Sequence, residues 1–171
     1  MPYILEDIIS ITKDSIETMR QEKIAIFPGT FDPFTLGHES LVKRGLDIVD
    51  EIIIAIGVND AKQTFFSLEK RMEMLSDLYA GEARVSIESY DTLTVDLAKR
   101  VGAQFILRGI RSVADFEYEK TIADLNRTIS GIETLVLFTE PELSSISSSH
   151  VRELLKYNYD VSVFLPAGIK L

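Results

Sequence analysis

The feature that most constrains the fold is a regular alternation between short strand-like runs and stretches whose apolar residues recur at helical spacing. Most of these runs are apolar without alternation, which is typical of strands buried on both faces of a parallel sheet. Parallel strands connected through helices cross over in the right-handed sense. We therefore predict an α/β fold in a single domain, with a Rossmann-like, doubly wound, five-stranded parallel sheet. The predicted strands cover residues 24–27, 52–56, 84–88, 105–107 and 134–138.

Length and composition favour one domain preceded by a short extension. The chain has 171 residues, of which 46% are hydrophobic, which suits one well-packed core and argues against two. Apolar positions in residues 1–22 fit one helix face, so we predict a helical extension there, before a domain spanning residues 23–171. The chain has no run of about 18 apolar residues, and its N-terminus lacks the basic start and apolar centre of a secretory signal. We therefore expect a cytoplasmic protein with no membrane partner.

Charge and cysteine content exclude several kinds of partner and chemistry. Eighteen basic against 27 acidic residues give a net charge of −9. This balance argues against nucleic acid as a partner, because that affinity rests on neutralising phosphates with Lys and Arg. The lack of cysteine rules out disulfides, thiolate catalysis and cysteine-ligated zinc in this chain. A two-histidine metal site would require the distant His38 and His150 to meet, and we predict no protein-held metal site.

The first predicted strand leads into a glycine-containing loop that ends in a histidine. Pro28 and Gly29 follow the apolar residues 24–27, and His38 lies where the next helix is predicted to begin. In open α/β sheets, ligands bind at the carboxyl ends of the strands, and a helix N-terminus offers unpaired N–H groups to an anion. We therefore predict a phosphate-binding site at this loop. Taken alone, His38 would more often be a helix-capping or packing residue.

Further polar groups are predicted at or just beyond the same edge of the sheet. They are Thr30, Lys62, Arg108 and Arg111. The serines at 147–149 are predicted to open the last helix, where plain capping would by itself explain them. Such an inventory would let a site position two polyanions and stabilise the charge that grows on an attacked phosphorus. A phosphate oxygen that is already ionised near neutral pH could attack there without a general base.

Two strings of residues resemble a known family. Residues 29–33 and Thr35-Leu36-Gly37-His38 resemble the nucleotidyltransferase superfamily, and a threonine in the first position of the second string is similar to the phosphopantetheine adenylyltransferase branch. Another string also closely resembles that branch. It begins with Arg108-Gly109-Ile110-Arg111 and, after Ser-Val-Ala, ends with Asp-Phe-Glu-Tyr-Glu at residues 115–119. The resemblance covers residues 23 to about 165, and residues 1–22 depart from it.

The resemblance implies transfer of the adenylyl group of ATP to 4′-phosphopantetheine, forming dephospho-CoA and pyrophosphate in coenzyme A biosynthesis. It also implies a homohexamer, and Mg²⁺ that is carried with ATP rather than held in a dedicated protein cage. Two alternatives remain open. One is another small-molecule nucleotidyltransferase, with nicotinamide mononucleotide or glycerol phosphate as acceptor. The other is a non-catalytic adenine-nucleotide-binding module, because the same fold serves binding alone.

The resemblance also implies roles for individual residues. His38 and Thr30 are the expected catalytic residues. The acceptor is expected to contact Thr30, Lys62, Thr94 and Arg108. The expected ATP-binding residues are Thr30, Phe31, His38, Gly109, Ile110, Arg111, Glu119, Leu143, Ser144, Ser145, Ile146, Ser147, Ser148 and Ser149. Asp115 and Glu117 are expected to be structural or solvated, because a spacing of two on a helix points side chains about 200° apart.

Overall fold

The computed structural model describes residues 21–59 and 63–171 of the chain. The strands are β1 (Ile24–Gly29), β2 (Glu51–Gly57), β3 (Val85–Tyr90), β4 (Phe105–Ile110) and β5 (Glu133–Phe138). The α-helices are α1 (Leu36–Gly45), α2 (Leu68–Leu78), α3 (Thr94–Arg100), α4 (Val113–Ser130) and α5 (Ser148–Lys156). Every pairing between the strands is parallel, in the order β3-β2-β1-β4-β5. The predicted α/β, Rossmann-like, five-stranded parallel sheet is therefore confirmed.

Apolar clusters cover both faces of the sheet. Successive strand residues point to opposite faces, so Phe27 packs with side chains of α1 and α2, whereas Ile26 packs with side chains of α3. Helix α4 lies along β4 and β5. Each fully buried side chain of this kind contributes about 1.5–3 kcal/mol to folding. This burial on both faces explains why the strands are continuously apolar, and it fixes their carboxyl ends along one edge.

The central strands separate at that edge. β1 pairs with β2 along all six of its residues, but with β4 only at Ala25 and Ile26. Beyond them, Pro28 has no N–H to donate, and its carbonyl accepts a hydrogen bond from Arg108 Nη1 at 2.7 Å. The order in which strands are added to the sheet also reverses here, since β2 and β3 lie on one side of β1 and β4 and β5 on the other, which makes this gap the switch point where ligands bind in open α/β sheets.

Several element boundaries differ from those predicted. β1 continues through Pro28 and Gly29, because both still pair with β2. Helix α1 ends at Gly45, earlier than its apolar spacing indicated. The residue that precedes α3 is Leu93 rather than a polar cap, and no side chain caps that helix. By contrast, the predicted cap at Ser67 is confirmed, since its hydroxyl accepts from the N–H of Lys70 at 3.2 Å.

Two sequence-based predictions fall wholly or largely on residues outside the described ranges. Of the helix predicted in residues 1–22, residues 1–20 lie outside the described residues. Gln21 and Glu22 are described, and they belong to no helix or strand. Lys62 also lies outside the described residues. Within the described part of the chain, none of the helices combines the length and apolar character needed to cross a membrane.

Candidate active site

The loop after β1 folds back on itself around a glycine. Phe31 has a φ of 49°, in the left-handed region that bulky residues rarely adopt. Its ring turns back toward Gly29, where an added Cβ would lie 2.6 Å from Phe31 Cζ. A side chain at position 29 would therefore displace Phe31, so the glycine is required by this close approach.

The ring of His38 is fixed by Thr35, the residue immediately before α1. The backbone N–H of Thr35 donates to His38 Nδ1 at 3.0 Å, and Thr35 Oγ1 lies 3.0 Å from the same nitrogen. Because Nδ1 acts as the acceptor, the proton of the neutral ring is on Nε2. The threonine of the Thr-Leu-Gly-His string thus sets the tautomer of the histidine that follows it.

Aromatic side chains surround His38 and keep it uncharged. The ring centroids of Phe31 and Phe34 each lie 5.2 Å from the imidazole, and that of Phe27 lies 6.2 Å away. Burial in this setting lowers the pKa of His38 from 6.5 to about 4, with smaller contributions from the positive charges of Arg111 and Arg108. At neutral pH, His38 is therefore a neutral hydrogen-bond donor through Nε2 rather than a cation.

This shift in pKa predicts a dependence of stability on pH. The folded pKa of about 4 lies below the ordinary value of 6.5, so the unfolded chain binds more protons between these values. The contribution of neutral His38 is complete above pH 6.5 and is lost as the pH falls toward about 4. Urea unfolding at about pH 7 and about pH 5 should show a larger loss of unfolding free energy for the parent than for His38→Gln.

The titration itself can be followed by NMR. In a His150→Gln background, the single remaining imidazole signal belongs to His38. We expect it to titrate near pH 4 and to have the Nε2–H tautomer above that pH. A midpoint near 6.5 would show that the phenylalanine environment does not hold the ring neutral.

Arg108 bridges the gap between β1 and β4. Its Nε donates to Glu119 Oε2 at 2.7 Å, its Nη2 donates to Glu119 Oε1, and its Nη1 donates to the Pro28 carbonyl. Glu119 is 7% exposed within α4. A guanidinium has five N–H donors, so two remain after these three bonds. Arg108 is therefore fixed in orientation and still has donors for an anion.

A second arginine is held in a similar way. The backbone N–H and the Nε of Arg111 donate to Asp115 Oδ2 at 3.1 and 3.2 Å. Asp115 and Glu119 are four residues apart on α4, so one helix face presents both carboxylates to the two arginines. Sequence reasoning did not assign these pairs, although two acids four apart after Arg-Gly-Ile-Arg are the signal that could have revealed them.

Two cavities open at the carboxyl edge of the sheet. The large cavity has a volume of about 630 Å³ and the small cavity about 300 Å³. Among the described residues, both are lined by Pro28, Gly29, Arg108 and Glu119, which we call the shared wall. The large cavity is also lined by polar side chains that include Thr30, Asn59, Thr64, Arg71, Tyr90, Thr94, Tyr118 and Asn126.

The predicted site residues that the structure describes fall into four groups. Thr30 and Thr94 line the large cavity, and Arg108 and Glu119 line both. The small cavity is lined by Phe31, His38, Gly109, Arg111, Ile146, Ser147, Ser148 and Ser149. Four others line neither cavity, namely Ile110, Leu143, Ser144 and Ser145. Ile110 is a buried residue of β4, at 4% exposure.

The serines at the start of α5 already have protein partners. Ser147 Oγ caps the helix by accepting from the N–H of His150 at 3.2 Å, and Ser148 Oγ donates to the Pro33 carbonyl at 2.8 Å. Ser149 Oγ accepts from Arg152 Nη2 at 3.1 Å. The first N–H groups of a helix have no partner within the helix. What α5 offers an anion in the small cavity is therefore chiefly backbone N–H groups rather than hydroxyls.

Sequence reasoning missed two buried charged residues near the loop. Arg71 and Asp32 are 4% and 3% exposed, and Arg71 Nη1 donates to the Thr30 carbonyl at 2.7 Å. The signal for Arg71 was present in the helical spacing. It lies three residues after Leu68 and four before Leu75, on the face that was predicted to be apolar.

Comparisons with known proteins agree with this architecture. A family model described as cytidylyltransferase-like matches residues 26–154. The chain is 60% identical over 147 residues to a protein named phosphopantetheine adenylyltransferase from Bacteroides fragilis, covering 86% of this chain and 98% of the relative. It is 52% identical over 151 residues to a protein of the same name from Porphyromonas gingivalis, covering 88% of this chain and 99% of the relative.

A solved structure shares the fold at much lower identity. It is the crystal structure of a bifunctional NMN adenylyltransferase/ADP ribose pyrophosphatase complexed with AMP and manganese ion, from Francisella tularensis. The TM-score is 0.64 and the identity 16%, over 85% of this chain and 44% of that chain. At this identity the likeness concerns the fold alone.

Proposed function

This chain belongs to the phosphopantetheine adenylyltransferase family, within the cytidylyltransferase-like group, and on that premise we propose that it transfers the adenylyl group of ATP to 4′-phosphopantetheine. The products are dephospho-CoA and pyrophosphate, in coenzyme A biosynthesis. The observation that carries the proposal is the shared wall, where Arg108 stands between a cavity lined by Thr30 and one lined by His38. A reaction that joins two phosphates end to end needs such a meeting point.

The chemistry requires positioning and charge stabilisation more than proton transfer. The acceptor phosphate has a second pKa of about 6, so its oxygen is already a nucleophile at neutral pH. That oxygen forms a bond to the α-phosphorus of ATP, and the bond to pyrophosphate breaks on the opposite side. Negative charge grows on the non-bridging oxygens during this step. His38 donates a hydrogen bond from neutral Nε2 to one of them, and its fixed tautomer means that the donor needs no reorientation.

The large cavity accommodates the acceptor in this proposal. Its phosphate contacts the hydroxyl of Thr30 and the remaining donors of Arg108, and the pantetheine arm reaches Thr94. Two observations support this arrangement. Arg108 is held rigidly by Glu119, and Tyr90 Oη lies 3.0 Å from Thr94 Oγ1, which fixes the wall at that end. The family resemblance also assigns Lys62 to this phosphate. That assignment stays a prediction, because Lys62 lies outside the described residues.

The small cavity accommodates ATP in this proposal. Arg111 lies beside the triphosphate, which also reaches the N–H groups at the start of α5. The remaining proposed contacts follow the family resemblance. Phe31, Gly109, Glu119 and residues 146–149 line this cavity, whereas Ile110 and residues 143–145 do not, so their contact with ATP rests on the resemblance alone. Mg²⁺ enters with ATP as part of the substrate. Mg²⁺ dehydrates reluctantly, so it keeps several waters and is bound largely through the substrate phosphates.

The proposal includes a cytoplasmic location and a homohexamer, as the family resemblance implies. Large apolar side chains are exposed on α4 and β5 of the single chain, and burying them against another copy would stabilise an assembly. They are Val113, Phe116, Leu125, Ile129, Val136 and Phe138. A monomer mass by light scattering would contradict this part of the proposal.

An acceptor screen tests the proposed function. The full chain is incubated with MgATP and, separately, with 4′-phosphopantetheine, nicotinamide mononucleotide or glycerol 3-phosphate, and pyrophosphate release is measured. We expect release only with 4′-phosphopantetheine, together with formation of dephospho-CoA. Release with one of the other acceptors would assign a different nucleotidyltransferase activity. Binding of ATP without release under any condition would indicate a non-catalytic nucleotide-binding protein.

A further inference from the structure

We propose that Arg71 and Asp32 are positioning residues for adenylyl transfer, which hold the Thr30 loop against the start of α2. This inference rests on the function proposed above. We call the two residues the loop clamp. Neither was assigned from the sequence, and both are nearly inaccessible to solvent, at 4% exposure for Arg71 and 3% for Asp32.

Arg71 connects two backbone segments through their carbonyls. Its Nη1 donates to the Thr30 carbonyl at 2.7 Å, and its Nε donates to the Phe66 carbonyl at 3.3 Å. One rigid guanidinium therefore sets the distance between the loop after β1 and the residues that precede α2. Thr30 is the residue whose hydroxyl is proposed to orient the acceptor phosphate, so Arg71 acts on that hydroxyl through the backbone of the same residue.

Asp32 completes the connection in the opposite direction. Its two carboxylate oxygens accept the N–H groups of Phe65 and Phe66 at 2.7 and 2.9 Å. Segment 65–66 thus donates both of its N–H groups to Asp32, and its Phe66 carbonyl accepts from Arg71, the side chain that also donates to the Thr30 carbonyl.

The partners of Arg71 point to positioning rather than to simple stabilisation. Among residues 21–59 and 63–171, no ion pair within 4.0 Å is found for its guanidinium, and its hydrogen bonds go to carbonyls. Removing a cation from water is expensive, and an apolar side chain of similar volume is often at least as stabilising. A buried arginine here therefore supplies geometry that an apolar residue would not. Burial lowers the pKa of Arg71, and the negative charge of Asp32 opposes that shift.

The loop that contains Thr30 has an unfavourable backbone conformation. Phe31, next to Thr30, has its φ of 49° in the sparsely populated left-handed region. Such a conformation persists only where surrounding contacts over-determine it. From the other side, Arg152 Nη1 donates to the Asp32 carbonyl at 2.7 Å. Loss of the clamp would therefore remove contacts that hold the Thr30 loop in this conformation.

The test compares Arg71→Lys and Arg71→Met with a matched control, Arg84→Met, in which an exposed arginine bonded to Glu82 is removed. We expect kcat to fall by about 10-fold in Arg71→Lys and about 100-fold in Arg71→Met, because small misplacements near the chemistry have effects of this size. The dissociation constants of ATP and 4′-phosphopantetheine, measured by calorimetry, should change by less than about threefold. The control should match the parent in all three quantities.

Asp32→Asn provides a second, independent route in case Arg71→Met does not fold. The amide keeps the shape but can accept only one of the two N–H groups, so kcat should fall with little change in either dissociation constant. Because both residues hold the same loop, the double variant Asp32→Asn/Arg71→Lys should lose less than the product of the two single losses. Multiplicative losses would show that the residues act separately and would overturn the proposal.

Other outcomes would also decide the matter. A kcat equal to the parent in folded Arg71→Lys and Asp32→Asn would overturn the positioning role. A large rise in the dissociation constant of 4′-phosphopantetheine at unchanged kcat would instead make Arg71 a direct acceptor-binding residue. Failure of the proposed function is distinguishable, because then the parent itself releases no pyrophosphate with 4′-phosphopantetheine. The clamp could still be scored by hydrogen exchange, as faster exchange of the Phe65 and Phe66 amides in Asp32→Asn.

Discussion

Replacing His38 with alanine is expected to lower kcat by about 10²–10³-fold, the usual effect of removing one preorganised donor to a developing negative charge. The dissociation constant for ATP should change by less than about threefold, because this hydrogen bond strengthens only as the transition state forms. The structural basis is the fixed ring. Thr35 holds Nδ1 as an acceptor and the surrounding phenylalanines keep the imidazole neutral, so Nε2–H is a permanent donor. Pyrophosphate release and calorimetric titration with ATP measure the two quantities.

Isosteric substitutions sharpen this test. In His38→Gln the amide nitrogen lies near the position of Nε2, whereas in His38→Asn it lies near that of Nδ1. We therefore expect His38→Gln to keep more activity than His38→Asn or His38→Ala. His150→Ala is the matched control, since that histidine is exposed and its ring contacts the Ser145 carbonyl. Equal rates for the parent and His38→Ala would exclude the catalytic role, and a proportional loss of ATP affinity would turn it into a binding role.

Replacing Arg108 with methionine should affect both activity and stability. Glu119 would lose its bidentate partner while remaining buried, and breaking such a pair costs about 3–5 kcal/mol. We expect about 3 kcal/mol here, at the lower end of that range, because the Arg108 side chain keeps partial access to solvent. Activity should fall by at least about 100-fold, since the acceptor phosphate loses a cation on the shared wall. Urea unfolding and pyrophosphate release measure the two effects.

A second substitution separates these two effects. In Arg108→Met/Glu119→Leu the unpaired carboxylate is gone, so most of the lost unfolding free energy should return while activity remains low. Arg127→Met is the matched control, because Arg127 forms an ion pair with Glu133 that is largely exposed. Its loss should change the unfolding free energy by less than about 1 kcal/mol. Recovery of activity in the double variant would contradict a direct role of Arg108 on the acceptor.

The order of elements could be predicted from sequence because it depends on local patterns. The apolar runs and the intervening helical spacing specify a parallel sheet, and the structure has that sheet. The carboxyl end of β1 could not be predicted, since Pro28 and Gly29 normally stop a strand. They continue it here because β2 supplies a partner on one side and Arg108 supplies the Pro28 carbonyl with a donor on the other. That second contact joins residues 80 positions apart and leaves no local trace.

The candidate site was predictable in its membership more than in its contacts. His38, Arg108 and Arg111 all line the small cavity, as expected for groups at strand ends. Their partners depend on tertiary structure. Glu119 was assigned to ATP, but in the structure it holds Arg108, and its role toward ATP remains a prediction. Arg71 was overlooked because arginine on an apolar helix face is usually solvated at its tip, and only packing shows that this one is enclosed.

The large and small cavities meet at the shared wall, so the residues around each cavity can serve a different substrate. Among the described residues, four side chains or backbone positions face both chambers, and the rest serve one chamber or the other. In the proposed function, substitutions deep in the large cavity would therefore alter the choice of acceptor while leaving the handling of the nucleotide intact. During evolution, one substrate could therefore change while the other stays the same, provided that the residues of the shared wall are retained.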